Sequence, residues 1–146
     1  MNREFLLTLP DEPSFGPWVA WAHRLSLRGI SAPGVYVLTH SHGHPPSSSN
    51  PISHPVIYVG ETSNQTLADR WRQFSRSATT GKRSHSGGRT YFVRFGPERI
   101  DELYVCALPV EERSFKGIAA YIKYIARKLI WKHLARHGAL PECNKE

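Results

Sequence analysis

The chain has 146 residues, 40% of them hydrophobic and 21% charged, which suits one domain with its own core and is unlike a disordered chain. Nineteen Lys and Arg against twelve Asp and Glu give a formal charge of +7, so a polyanion is the first partner to expect. The longest apolar run, Leu103 to Val110, is interrupted by Pro109 and falls far short of the roughly 18 residues of a spanning helix, so no membrane partner is expected.

At the N-terminus Arg3 precedes Phe5-Leu6-Leu7, but Asp11, Glu12 and Pro13 follow where a signal peptide needs apolar and small residues, and the chain reads as cytoplasmic. Residues 1–32 form an N-terminal extension with a short helix around Trp18 to Leu25, packed on a domain over 33–146. Gly34 to Leu38 and Val56 to Gly60 are β-branched and aromatic, and read as two pairing strands. The Ser, His and Pro-rich stretch from His40 to Pro55 between them is a loop; His40, His42, His44 and His54 there form no fixed zinc geometry. Asn64-Gln65-Thr66 supplies an N-cap, and Leu67, Trp71 and Phe74 the buried stripe of a helix ending near Ser77. Thr90 to Phe95 and Leu103 to Leu108 read as further strands, separated by a Gly96-Pro97 turn. Ser114 then caps a long helix with Ile118, Ile122, Ile125 and Leu129 on its core face, and Gly138 and Pro141 stop it. The order predicts an α+β fold with a small central antiparallel or mixed sheet flanked by helices. Cys106 and Cys143 are too few for a disulfide framework and read as reduced thiols.

Tyr36 and Tyr58 lie in the paired strands, each near a glycine. Strand tyrosines are ordinarily half-buried packing residues. Arg70, however, falls on the edge of the stripe that its helix turns inward, where an arginine wants a buried anion. Gly34-Val35-Tyr36, a loop, Tyr58-Val59-Gly60-Glu61-Thr62, Leu67-x-x-Arg70 and a closing Pro141-x-x-Asn144 together resemble the GIY-YIG nuclease family, over roughly residues 33 to 145.

The resemblance implies a DNA endonuclease that hydrolyses phosphodiesters with one divalent metal, Mg²⁺ or Mn²⁺. It gives Tyr36 the attacking water, Tyr58 the phosphate or a metal-bound water, and Arg70 the scissile phosphate through its bidentate fork. A tyrosine has an ordinary pKa of about 10, so a base role needs a neighbouring cation, with Lys82, Arg83 and the metal as candidates. Two positions depart from the family. Phe74 stands where a histidine is common one turn after the arginine, and His85 in the following turn is the substitute. Ala126 stands where the resemblance implies the metal-binding glutamate, on the shoulder of the late helix's core stripe, and supplies no oxygen. Three accounts are open: an inactivated form in which alanine replaces the glutamate, a naturally degenerate DNA or RNA binder, or an enzyme whose carboxylate comes from elsewhere. Glu61 is then the nearest substitute, ahead of Glu111, Glu112 and Glu142. The first is preferred because every other motif residue except the helix histidine is intact. The basic turn with Lys82, Arg83 and Arg89, and Lys123, Arg127, Lys128, Lys132 and Arg136 on the last helix, read as a phosphate track on duplex or single-stranded DNA, with Asn144 beside it. A homodimer would let such an enzyme cut both strands.

Overall fold

The computed structural model describes residues 8–47, 50–111 and 117–145; Ser114 and Glu112 lie outside them. The architecture is α+β. Strands β1 (Val19–Ala20), β2 (Gly34–His40), β3 (Tyr58–Thr62) and β4 (Leu103–Pro109) form a sheet in the order β1-β4-β2-β3, every neighbouring pair antiparallel.

The two-residue period of the central strands feeds two cores. Tyr36 and Leu38 on β2, with Val105 and Ala107 on β4, face one side; Val35, Val37 and Cys106 face the other. A central strand buried on both faces reads as a continuous apolar run, which is why Val35 to Leu38 shows no alternation. Helices α1 (Leu67–Thr80) and α2 (Ser86–Phe95) cover the first face with Trp71, Phe74 and Tyr91, all fully buried. Helix α3 (Gly117–His137) covers the second through Ile118, Ile122 and Ile125.

Thr66 caps α1, its hydroxyl accepting the Asp69 N–H at 3.0 Å. The helix runs a turn past Ser77, to Thr80, because Gly81 is the residue that adopts φ 75° and ends it.

Thr90 to Phe95 is not a strand but most of α2. Its aromatic and β-branched composition mimics a strand, yet Tyr91 and Phe95, one helical turn apart, pack in a tilted pair with centroids 5.1 Å apart against the core. The turn before it supplies the cap that composition hides: His85 Nδ1 accepts the Gly88 N–H at 3.1 Å. Strand β2 also extends to His40, whose Nε2 is 2.7 Å from the Tyr91 hydroxyl, so His40 belongs to the sheet and the loop begins after it. Near the N-terminus the short helix expected around Trp18 to Leu25 is a 3-10 helix over Trp21–Ser26, and Val19–Ala20 before it is a strand. Trp21 packs on Trp71 and Phe74 at 6.1 and 5.4 Å, and β1 pairs with β4, so this stretch completes both sheet and core.

Candidate functional site

The motif residues meet where β2 and β3 pass beneath α1 and α2. Glycine is required at position 60 because a Cβ there would lie 2.4 Å from Tyr36 Cζ and 2.6 Å from its hydroxyl. Tyr36 and Tyr58 sit side by side with ring centroids 6.0 Å apart. His85 enters from the N-cap of α2, edge-on to Phe74 at 5.2 Å, and places Nε2 2.8 Å from the Tyr36 hydroxyl. Phe74 on α1 packs against this histidine, which the neighbouring helix delivers.

The hydrogen bonds fix the protons. Because Nδ1 of His85 accepts a main-chain N–H, the neutral ring carries its proton on Nε2 and donates it to Tyr36 Oη. His85 is neutral: burial, reinforced by the Arg70 charge, lowers its pKa to about 3. Burial likewise holds Tyr36 well above the ordinary tyrosine pKa against the opposing pull of Arg70, and raises Tyr58 to about 12. Both are phenols here. The cation that acts on Tyr36 is Arg70, not Lys82 or Arg83, which are exposed on the α1–α2 turn.

Tyr58, Glu61 and Arg70 line a cleft of about 380 Å³ whose opposite wall is α3, with Lys123, Ala126 and Arg127. Arg70 is held there by Gln73, whose Oε1 accepts from its guanidinium at 2.8 Å and whose amide bonds Gln65 at 2.9 Å. Tyr36 is completely buried behind β3 and does not line the cleft. A second hollow of about 650 Å³ lies alongside, sharing Ser86, Thr90 and Lys145 with the cleft, rimmed by Arg83, Arg89 and Arg94 and reaching His85.

Two of the expected nucleic-acid contacts already have partners within the chain, although Asn144 still lines the cleft. Lys128 turns to the N-terminal segment, its Nζ donating to the Asp11 carbonyl at 2.8 Å and lying 3.6 Å from the Asp11 carboxylate. The Asn144 amide pairs with the Val59 main chain, accepting its N–H at 2.8 Å and donating to its carbonyl at 2.9 Å, and so anchors the C-terminal segment to β3 as an added strand would be. Lys145, from the C-terminal segment, and Arg94, on α2 and 3.6 Å from the Glu142 carboxylate, complete the rim; neither stands out in the sequence.

The donor set tests the metal. Among residues lining the cleft Glu61 is the one carboxylate, and its Oε2 is buried without a hydrogen-bond partner. Arg70, Lys123, Arg127 and Lys145 line the same cleft, and Ala126 adds no oxygen. Glu111 and Glu142 line neither this cleft nor the hollow beside it. A hard divalent ion needs more anionic oxygen than this, and among the described residues no three His, Cys, Asp or Glu side chains cluster as ligands. The residues present therefore do not fit Mg²⁺ or Mn²⁺; they fit an anion. Comparisons with family models, with curated proteins and with solved structures find no match to this chain.

Proposed function

We propose that the chain carries the phosphodiester site of a GIY-YIG-like DNA endonuclease in a form that engages the phosphate without holding the metal. The observation that carries this reading is the position of Ala126, on the wall of the cleft that also holds Tyr58, Glu61 and Arg70. A glutamate there would bring a second carboxylate to the unpartnered oxygen of Glu61 and turn an anion site into one with oxygen ligands. Arg70, preset by Gln73, forks onto a non-bridging phosphate oxygen pair, Tyr58 donates its hydroxyl, and Lys123, Arg127 and Lys145 offset the remaining charge. Tyr36 and His85 form the buried support beneath Tyr58 and Arg70.

The test is Ala126→Glu, with Ala126→Gln as the isosteric neutral control, incubated with supercoiled plasmid and single-stranded DNA in Mg²⁺ or Mn²⁺. The glutamate variant should nick DNA, chelator should abolish nicking, and the glutamine variant should bind without cutting. A folded, DNA-binding Ala126→Glu protein that never cuts favours the second reading, a binding module on the same scaffold; the cationic cleft wall is the observation that supports it.

A further inference from the structure

We propose that Trp131 is a stacking platform for an unpaired nucleobase next to the phosphate held in the cleft, so that the partner is a single strand or a frayed end rather than an intact duplex. The inference rests on the phosphodiester reading of the cleft and adds which form of nucleic acid enters it.

Trp131 is 67% exposed, whereas Trp18, Trp21 and Trp71 are 8%, 3% and 0% exposed. It stands one helical turn after Arg127, which lines the cleft, and directly after Ile130, which lines it too. Long side chains on a helix lean toward its N-terminus, which brings the indole over the turn that carries Arg127. An exposed indole beside a phosphate-binding arginine is the arrangement by which proteins hold single strands: the cation takes the backbone and the ring takes a base face. Inside a duplex both faces of a base are already stacked, so this ring has a partner only where a base is unpaired.

The charge of α3 decides between occupants. From Gly117 to His137 the helix carries no acidic residue; of its cations Lys128 and Lys132 face Asp11 and Glu12, while Lys123 and Arg127, on the cleft side, have no carboxylate partner among the described residues. A second copy of the chain packed on this face would set cationic helix against cationic helix with no carboxylate of α3 to offset either. A polyanion with apolar base faces complements both the charge and the ring.

The probes are an oligothymidylate of about eight nucleotides, within the usual range of single-strand site sizes, and an abasic deoxyribose-phosphate oligomer of the same length. Tryptophan fluorescence and affinity are measured at low salt on the full chain. Trp131 is the exposed tryptophan, so thymidylate should quench the red-shifted part of the emission, while the abasic oligomer binds without quenching and on the order of tenfold more weakly. In Trp131→Ala that preference should collapse toward unity, and Trp131→Phe should keep part of it; circular dichroism checks that both fold. Equal affinity of the two oligomers for the native chain, or an undiminished thymidylate preference in Trp131→Ala, overturns the stacking role while leaving the phosphate cleft standing. Failure of both oligomers to bind instead overturns the cleft reading, and the stacking role with it. Sedimentation that shows a dimer abolished by Trp131→Ala, or binding of anionic vesicles in preference to thymidylate, assigns the ring to a second copy or to a lipid surface and also overturns the proposal.

Discussion

Whether Tyr36 takes a proton or gives one turns on which nitrogen of His85 is protonated. Nδ1 is occupied by the Gly88 N–H, so Nε2 already bears hydrogen and cannot receive one from Tyr36 while the ring stays neutral. Tyr36 is therefore an acceptor from His85 whose own hydroxyl proton remains to be donated. Tyr36→Phe should leave the His85 N–H buried without a partner and cost about 1–3 kcal/mol in denaturant unfolding. Tyr58→Phe, at a ring that lines the cleft, should cost less than about 0.5 kcal/mol. Equal costs would show that His85 does not depend on Tyr36. The same histidine sets a pH dependence. Its folded pKa, lowered to about 3, lies below the unfolded value near 6.5, so the unfolded chain binds the proton first. The stability it supports is complete above about pH 6.5 and drains away as pH falls toward 3, at about 1.4 kcal/mol per pH unit. His40, lowered to about 4 by burial, acts in the same direction. His85→Asn should flatten the stability profile between about pH 5.5 and 4.5 by one proton's worth, and an unchanged slope would mean that His85 is protonated in the fold.

At the scale of elements, what was legible in the sequence is what local chemistry determines. Thr66 starts α1 by its own hydroxyl, the Ile118, Ile122 and Ile125 stripe turns α3 onto the sheet, and the Gly-Val-Tyr and Tyr-Val-Gly strands pair in register, Tyr36 opposite Gly60. Helix α2 was not legible because its composition reads otherwise: two glycines open it, its apolar residues are strand formers, and its cap is a histidine. Those glycines are there for packing. A Cβ on Gly88 would lie 2.7 Å from the main-chain oxygen of Phe74 and 2.8 Å from Ser77 Cβ, so α2 approaches α1 closer than any larger residue allows. Helix propensity alone makes Gly88→Ala stabilising by about 1 kcal/mol. Packing predicts the opposite sign, a net loss of about 1–3 kcal/mol, since these neighbours belong to the α1 backbone and a first side-chain carbon and cannot swing aside. A stabilised Gly88→Ala protein would mean that the two helices do not pack this closely.

Across the whole molecule, a net charge of +7 raises the expectation of a polyanion but does not say which cations would meet it. Lys128 and Lys132 sit beside Asp11 and Glu12, a pairing between the two ends of the described chain that no local pattern reveals. Among the described residues Arg83, Arg89, Lys123 and Arg127 have no carboxylate partner, and they border the cleft and the hollow beside it. The same long-range docking hid a second part played by Asn144, which lines the cleft and also clasps Val59. DNA affinity should therefore fall with salt in proportion to a subset of the positive charge. Each phosphate contact contributes a slope of about −0.7 on a single strand, or about −0.9 on a duplex, to the logarithm of affinity against the logarithm of salt. Arg89→Ala and Arg127→Ala should each flatten that slope by about one unit, and Lys128→Ala, which removes a cation already facing Asp11, should leave it unchanged. Equal flattening by all three would mean that the chain binds DNA as a diffuse positive body, and the cleft would lose its claim to be the contact.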